Sequence, residues 1–349
     1  MPTVGVEEEF LLVDPDSGQP VPHNTDVAHA ASERGVDLQL ELTTCQVETA
    51  TGVLTDRDDL HAEITRLRHA AAQAARQCGA QLLAVALPPT IPRHFPITDT
   101  PRYHQIADRF GMIAHEQGIS GCHVHVEVPD RDAAVRVCMW LRPWLPLLLA
   151  LSANSAIYRE ADSGYASWRS ILWQRWPSAG PPPAANSAEE YDALVAQMEE
   201  SGAMLDDGMV YWDARPSAKF PTVEIRAADV PATAAETVLL AILARACVMT
   251  ACAHIEQGRP APEISEHVLR AAYWRCARDG LEGRTPAMLT AFVEELRPAL
   301  EQAGDFDYAQ AELKRIVQDG NGAMRQRRAW RRRGDIRDVL KAAAQATLA

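Results

Sequence analysis

Apolar and polar residues alternate through several short stretches of the first two-thirds of the chain, and helical periodicity takes over in the last third. Residues 4–13 read as a strand, closed by the turn Asp14-Pro15-Asp16-Ser17-Gly18. Residues 39–51 read as one extended stretch. A helix is expected over 56–77, with Thr55 or Asp56 as its cap and Gly79 as its stop. Residues 81–87 and 120–128 read as strands, with a Pro-rich loop at 88–101 and a helix at 102–117 between them. Residues 132–151 are helical but interrupted by Pro143 and Pro146, and 153–185 form a long loop with short elements. A short helix at 189–200 precedes strands at 210–214 and 222–227. From residue 232 onward the chain is almost all helix, broken near Gly258, Gly280, Gly304 and Gly320. Strands interspersed with helices, followed by a helical C-terminal part, predict an α+β fold.

Period-two alternation places residues i and i+2 on one face of a strand. Glu7 and Glu9 then share a face opposite Val6 and Phe10, and Gln46 and Glu48 oppose Cys45 and Val47. His123, His125 and Glu127 oppose a row of valines, and Glu224 and Arg226 oppose Val223 and Ile225. One such face is the ordinary wet side of an antiparallel sheet. Four of them, acidic and without a single Lys, are a different pattern. Two carboxylates ~4 Å apart repel by roughly 4 kcal/mol at an effective dielectric of 20, so neighbouring strands of this kind need cations. Oxygen ligands with one imidazole suit Mg²⁺ or Mn²⁺ better than Zn²⁺. The His-x-His pair also begins many zinc hydrolase sites, but the later His254 and His267 fall in helical segments, which makes that the weaker reading.

Composition narrows the field further. The chain has 349 residues, 47% hydrophobic and 23% charged, enough for a full core. A net charge of −13 argues against nucleic acid as a partner. The two longest apolar stretches, 139–157 and 238–255, contain Arg, Pro or His and read as buried helices, so no membrane partner is expected. The N-terminus has no basic or apolar leader pattern, and the seven Cys form no Cys-x-x-Cys pair. Reduced thiols and a cytoplasmic location are expected.

Six segments, in order, are similar to one known family: GVEEEF (5–10), QVETATG (46–52), ISGCHVHV (119–126), DSGYASWRS (162–170), YWDARPSAKFPTVEIRAADV (211–230) and NGAMRQR (321–327). The chain resembles the carboxylate–amine ligases, the second type of glutamate–cysteine ligase within the glutamine-synthetase-like superfamily. The resemblance covers essentially the whole chain and implies a single domain, 1–349, with its helical portion at about 232–349. It implies a curved antiparallel sheet of about six strands, flanked by helices, holding ATP and divalent cations on its concave face. By that resemblance Glu7, Glu9, Glu48, His123 and Glu224 are metal ligands, His125 lies near ATP or substrate, and Arg226 faces the transferring phosphate. The implied reaction is ATP-dependent amide formation through an acyl phosphate, on amino acid and amine substrates, glutamate and cysteine by default.

Arg169 and Arg215 are further candidates for gripping substrate carboxylates, because a planar guanidinium pairs with them bidentately. Tyr165, Trp168 and Trp212 are candidates for pocket walls, and Arg327, in an Arg-rich helix, for a phosphate contact. The run after Asn154-Ser155 departs from the family pattern, which leaves the acceptor open. A guanidino or carboxylate kinase on the same metal–ATP face, and a non-catalytic nucleotide- or amino-acid-binding homologue, are the competing readings. The oligomeric state stays open, a homodimer included.

Overall fold

The computed structural model describes residues 1–90, 92, 95–116 and 118–349. Nine strands are described: β1 Val4–Val13, β2 Leu38–Leu40, β3 Gln46–Ala50, β4 Gln81–Leu83, β5 Gly121–Glu127, β6 Ile157–Tyr158, β7 Ala161–Asp162, β8 Ala214–Pro216 and β9 Thr222–Asp229. Seven form one antiparallel sheet in the order β2-β3-β1-β5-β9-β8, with β4 pairing the far end of β1. β6 and β7 form a separate hairpin.

One face of the sheet is the core. Val4, Val6, Val124, Val126, Val223 and Ile225 are buried in a single cluster with the helix Ala234–Glu256 and the helices Arg131–Leu141 and Leu145–Ser152. Ala234–Glu256 is long and apolar enough to cross a membrane, but it packs as a central core helix, and its Arg245 is buried on Asp305 at 2.6 Å. The helix Arg57–Gln77 is capped by Asp56, whose side chain accepts from the amides of Asp58 and Asp59. Helices from Ala234 to Thr347 supply the C-terminal part, as the pattern predicts.

Several expected elements are cut shorter, each for a local reason. Residues 39–51 are not one stretch: β2 and β3 pair as a hairpin, and Thr43 turns the chain with its hydroxyl on Gln46 Oε1 at 2.9 Å. The strand at 81–87 stops at Leu83, because Ala84 donates instead to Thr347 Oγ1 and Ala86 to the Asn154 carbonyl. The expected strand at 210–214 begins only at Ala214, since Asp213 first donates to the Gly180 carbonyl. The helix at 102–117 is two, Pro101–Phe110 and Met112–His115, parted by Gly111 at φ +54°. The 132–151 helix bends by 70° between Leu141 and Leu145. Residue 117, and residues 91, 93 and 94 of the expected 88–101 loop, lie outside the described residues.

Candidate active site

The face opposite the core is a cleft of about 1490 Å³, and strand register determines what lines it. Glu7 pairs across with His123, Glu9 with Glu48, and Glu224 with both His125 and Arg215. Residues directly opposite on antiparallel strands carry neighbouring side chains, so four strands bring their acids and imidazoles together. His123 sits at the centre, with Nδ1 3.1 Å from Glu7 Oε2 and Nε2 3.6 Å from Glu9 Oε1. His125 Nε2 lies 3.4 Å from Glu7 Oε1, while its Nδ1 meets the Thr222 hydroxyl at 3.0 Å. Among the described residues, two groups have ligand atoms close enough for one ion: Glu7, His123 and Glu224, and Glu9, Glu48 and His123. They share His123.

Cations are unevenly distributed over this acidic surface. Arg215 grips Glu224 with Nε at 2.7 Å and Nη2 at 3.2 Å, and Arg226 pairs with the same carboxylate. Burial opposes the charge of Glu224, but Arg226, Arg215 and His123 outweigh it and hold its pKa far below the carboxylate range. Glu7 behaves alike: burial is overcome by hydrogen bonds and charge from His123 and His125. At the other end burial and like charge outweigh the pull of Arg226. Burial, together with Glu41, Glu7 and Glu9, pushes Glu48 well up, and burial and Glu9 push Glu41 up to about 8. Glu41, in the β2–β3 turn, is a further cleft carboxylate that the alternation pattern missed, because a turn has no period.

Arg226 Nη1 also lies 3.3 Å from His123 Nδ1, and its Nε is buried without a partner among the described residues. The register slips between Cys122 and Val124, so that both Arg226 and Ala227 lie opposite His123. This bulge turns Asp229, three residues beyond Arg226, to the side of the sheet that carries Gly121, its cross-strand partner. Arg169, from the helix Trp168–Trp173, reaches over Gly121 into the same cleft.

A family model described as glutamate-cysteine ligase family 2 matches residues 3–342. The chain belongs to glutamate–cysteine ligase family 2. A protein of Mycobacterium sp. (strain KMS) provisionally named glutamate–cysteine ligase 2-2 is 61% identical over 100% of this chain and 99% of its own length. A similarly named protein of Nocardia farcinica is 56% identical over 99% of this chain and 94% of its own. Among solved structures, the bifunctional glutathione synthetase of Pasteurella multocida matches with a TM-score of 0.74 at 16% identity, over 99% of this chain and 52% of that one, about half its length. The glutamate–cysteine ligase of Francisella tularensis, solved with AMP, gives 0.68 at 14% identity over 99% and 88%. At these identities the likeness is one of fold, an antiparallel sheet flanked by helices. As a family-2 member the chain is an ATP-dependent ligase that joins a carboxylate to an amine.

The ligase's donor set fits a divalent cation. Carboxylates outnumber cations around Glu41, Glu48 and Glu9, and oxygen donors with a single imidazole are the chemistry of Mg²⁺ and Mn²⁺. Four residues expected near substrate, Tyr165, Trp168, Trp212 and Arg327, are not among those lining the cleft. Tyr165 packs on Trp168 with ring centroids 5.0 Å apart and accepts from Trp274 Nε1 at 3.3 Å. Trp212 is buried against Tyr191, while its neighbour Tyr211, pointing the other way along the chain, lines the cleft. Arg327 is held in an ion pair with Asp162 at 3.1 Å, away from the lining residues. The wall that sequence reading missed is made by Tyr103, Ile106, Trp173, Trp176 and Tyr211, drawn from helices and loops whose spacing carries no common period.

Proposed function

We propose that this ligase activates glutamate, or a related amino acid, as an acyl phosphate with ATP as phosphoryl donor, then passes the acyl group to an amine, cysteine by default. A carboxylate oxygen attacks the γ-phosphorus while the bond to the bridging oxygen of ADP breaks. The amine nitrogen then attacks the acyl carbon and loses a proton, and phosphate leaves. Such transfers depend on positioning and charge neutralisation more than on covalent help from the protein. A divalent cation, Mg²⁺ with Mn²⁺ as the alternative, held by Glu7, His123 and Glu224 and by Glu9 and Glu48, would neutralise phosphate oxygens.

The protein's own groups then divide the work. Arg226, kept protonated against burial by Glu224, Glu9 and Glu7, meets charge on the transferring phosphoryl group. Arg215, committed to Glu224 at 2.7 Å, fixes that carboxylate's orientation instead of gripping substrate. His125 borders the nucleotide, and Arg169 takes a substrate anion. Seven free thiols agree with a cytoplasmic enzyme.

The observation that carries this reading is the pair of ligand groups sharing His123, with the Arg226 guanidinium 3.3 Å from the same imidazole. The test is ADP release with MgATP across pooled amino acids and amines, followed by mass spectrometry of products. Amide formation that needs both a carboxylate and an amine supports the ligation chemistry. A stable phosphorylated product without amide refutes it.

A further inference from the structure

The segment between the helix ending at Ser152 and the helix Trp168–Trp173 leads into the helix that carries Arg169, and one side chain fastens both of its ends. Asp229, fully buried, accepts from the Asn154 amide at 2.8 Å and the Ser155 hydroxyl at 2.7 Å on one oxygen, and from the Ser167 hydroxyl at 2.8 Å on the other. Ser167 is the N-cap of the helix that carries Arg169, and Ser155 Oγ accepts from Arg169's own amide at 3.1 Å. Asp229 thus anchors the backbone from which Arg169 projects.

The guanidinium at the end of that side chain is unusual among the described buried arginines. Arg68, Arg142 and Arg245 each meet a carboxylate at 2.5–2.6 Å, and Arg327 meets Asp162 at 3.1 Å. Arg169, with a side chain only 4% exposed, comes no closer than 3.8 Å to Asp229, and its Nε has no partner among the described residues. Its nearest carboxylate is the most distant of the five, yet it lines the cleft that holds Arg226. It reaches that position because residue 121 is glycine. A Cβ there would lie 2.5 Å from Arg169 Nη2 and 3.3 Å from Cζ. The Gly121 amide meanwhile donates to Glu9 Oε2 at 2.6 Å, so the backbone that clears room for the guanidinium also orients a cleft carboxylate.

We propose that Gly121 and Asp229 are positioning residues that hold Arg169 against β5 as a preorganised receptor for a carboxylate of the substrate. Asp229 supplies the anchor and Gly121 the clearance, while the 3.8 Å gap leaves the guanidinium fork available to an incoming anion. The inference rests on the ligase reading above, since it needs an anionic substrate at this end of the cleft. It predicts an effect confined to one substrate: a displaced receptor weakens carboxylate binding and leaves nucleotide binding alone.

The test uses the full chain with MgATP, glutamate and cysteine as probes, in the wild type, Gly121→Ala and Asp229→Asn. Both variants should raise KM for glutamate at least about tenfold while KM for ATP changes less than about twofold. Hydrogen exchange gives a second readout that needs no turnover. Amides of residues 153–170 should exchange at least about tenfold faster in Asp229→Asn and at the wild-type rate in Gly121→Ala. If Asp229→Asn does not fold, Gly121→Ala decides by itself. With wild-type ligation intact, an unchanged KM for glutamate in Gly121→Ala, or an equal rise for both substrates, overturns the proposal. If the wild type forms no amide from glutamate and cysteine, that substrate reading falls, and unchanged protection of 153–170 in Asp229→Asn overturns the anchor.

Discussion

Neutralising Glu48 and neutralising Glu224 should move the metal-free protein in opposite directions. Glu48 faces Glu41, Glu7 and Glu9, so Glu48→Gln removes repulsion and should raise the melting temperature in chelator-treated buffer. Glu224 is the shared partner of Arg215 and Arg226, so Glu224→Gln should lower it. Both should cut amide formation by more than about a hundredfold, beyond the usual cost of losing an outer-shell partner of a metal ligand. Differential scanning fluorimetry with a coupled ADP assay checks both. Asp213 carries a pH signature. Burial raises its pKa to about 6, against the pull of Arg169 and the Tyr273 hydroxyl, so the folded state keeps a proton that the unfolded chain releases nearer 3.8. Stability from this group therefore falls as pH rises through that window, and the melting temperature of Asp213→Asn relative to wild type should climb between about pH 4 and about pH 7. Period-two alternation put Glu7, Glu9, Glu48, His123 and Glu224 each on the polar face of its own strand. It could not find Asp229, which has the wrong parity with Arg226 and reaches the cleft side only through the bulge. Nor could it separate Arg169 from Arg327: both stand on helices, and only the fold shows which one meets the cleft and which one meets Asp162.

At the scale of elements, a buried polar tie lies beneath the cleft. Arg68, on the helix Arg57–Gln77, is buried with Glu8 at 2.6 Å, and also donates to the carbonyls of Pro231, Ala232 and Thr347. Removing it leaves Glu8 uncompensated except for the Thr237 hydroxyl, so Arg68→Met should cost about 3–5 kcal/mol in urea unfolding. The double variant Arg68→Met with Glu8→Met should recover most of that loss, since an apolar pair carries no desolvated charge. Strand and helix positions were legible where periodicity was long, as in β1 and the helix Arg57–Gln77. They were misjudged where the backbone changes partner without changing composition. Residues 84–87 remain apolar after β4 ends, and no pattern announces that their amides turn to Thr347 and Asn154.

For the molecule as a whole, the acidic cleft makes folding and ion binding one problem. A cation that binds only the folded state adds about 2.7 kcal/mol at a hundredfold excess over its Kd. Titrating MgCl₂ into chelator-treated protein should therefore raise the melting temperature, and the rise should shrink in Glu7→Gln, which removes a ligand shared with His123. An equal rise in that variant would mean that the ion binds elsewhere. The α+β class was legible from the order of elements. The convergence of four polar faces was not contained in any one strand, because it depends on the spatial order β3-β1-β5-β9, and only the succession of family motifs carried that order.

The run Glu7-Glu8-Glu9 leaves the edge-to-edge alignment of β1 open to a misreading. Slide the strand by one residue and an acid still points upward, so the cleft by itself cannot tell right from wrong. The guanidinium underneath can: it has room to neutralise one carboxylate, and the displaced alignment would thrust two into oil. Arg68 thereby serves as a proofreader, deciding which members of an otherwise interchangeable trio are released for chemistry.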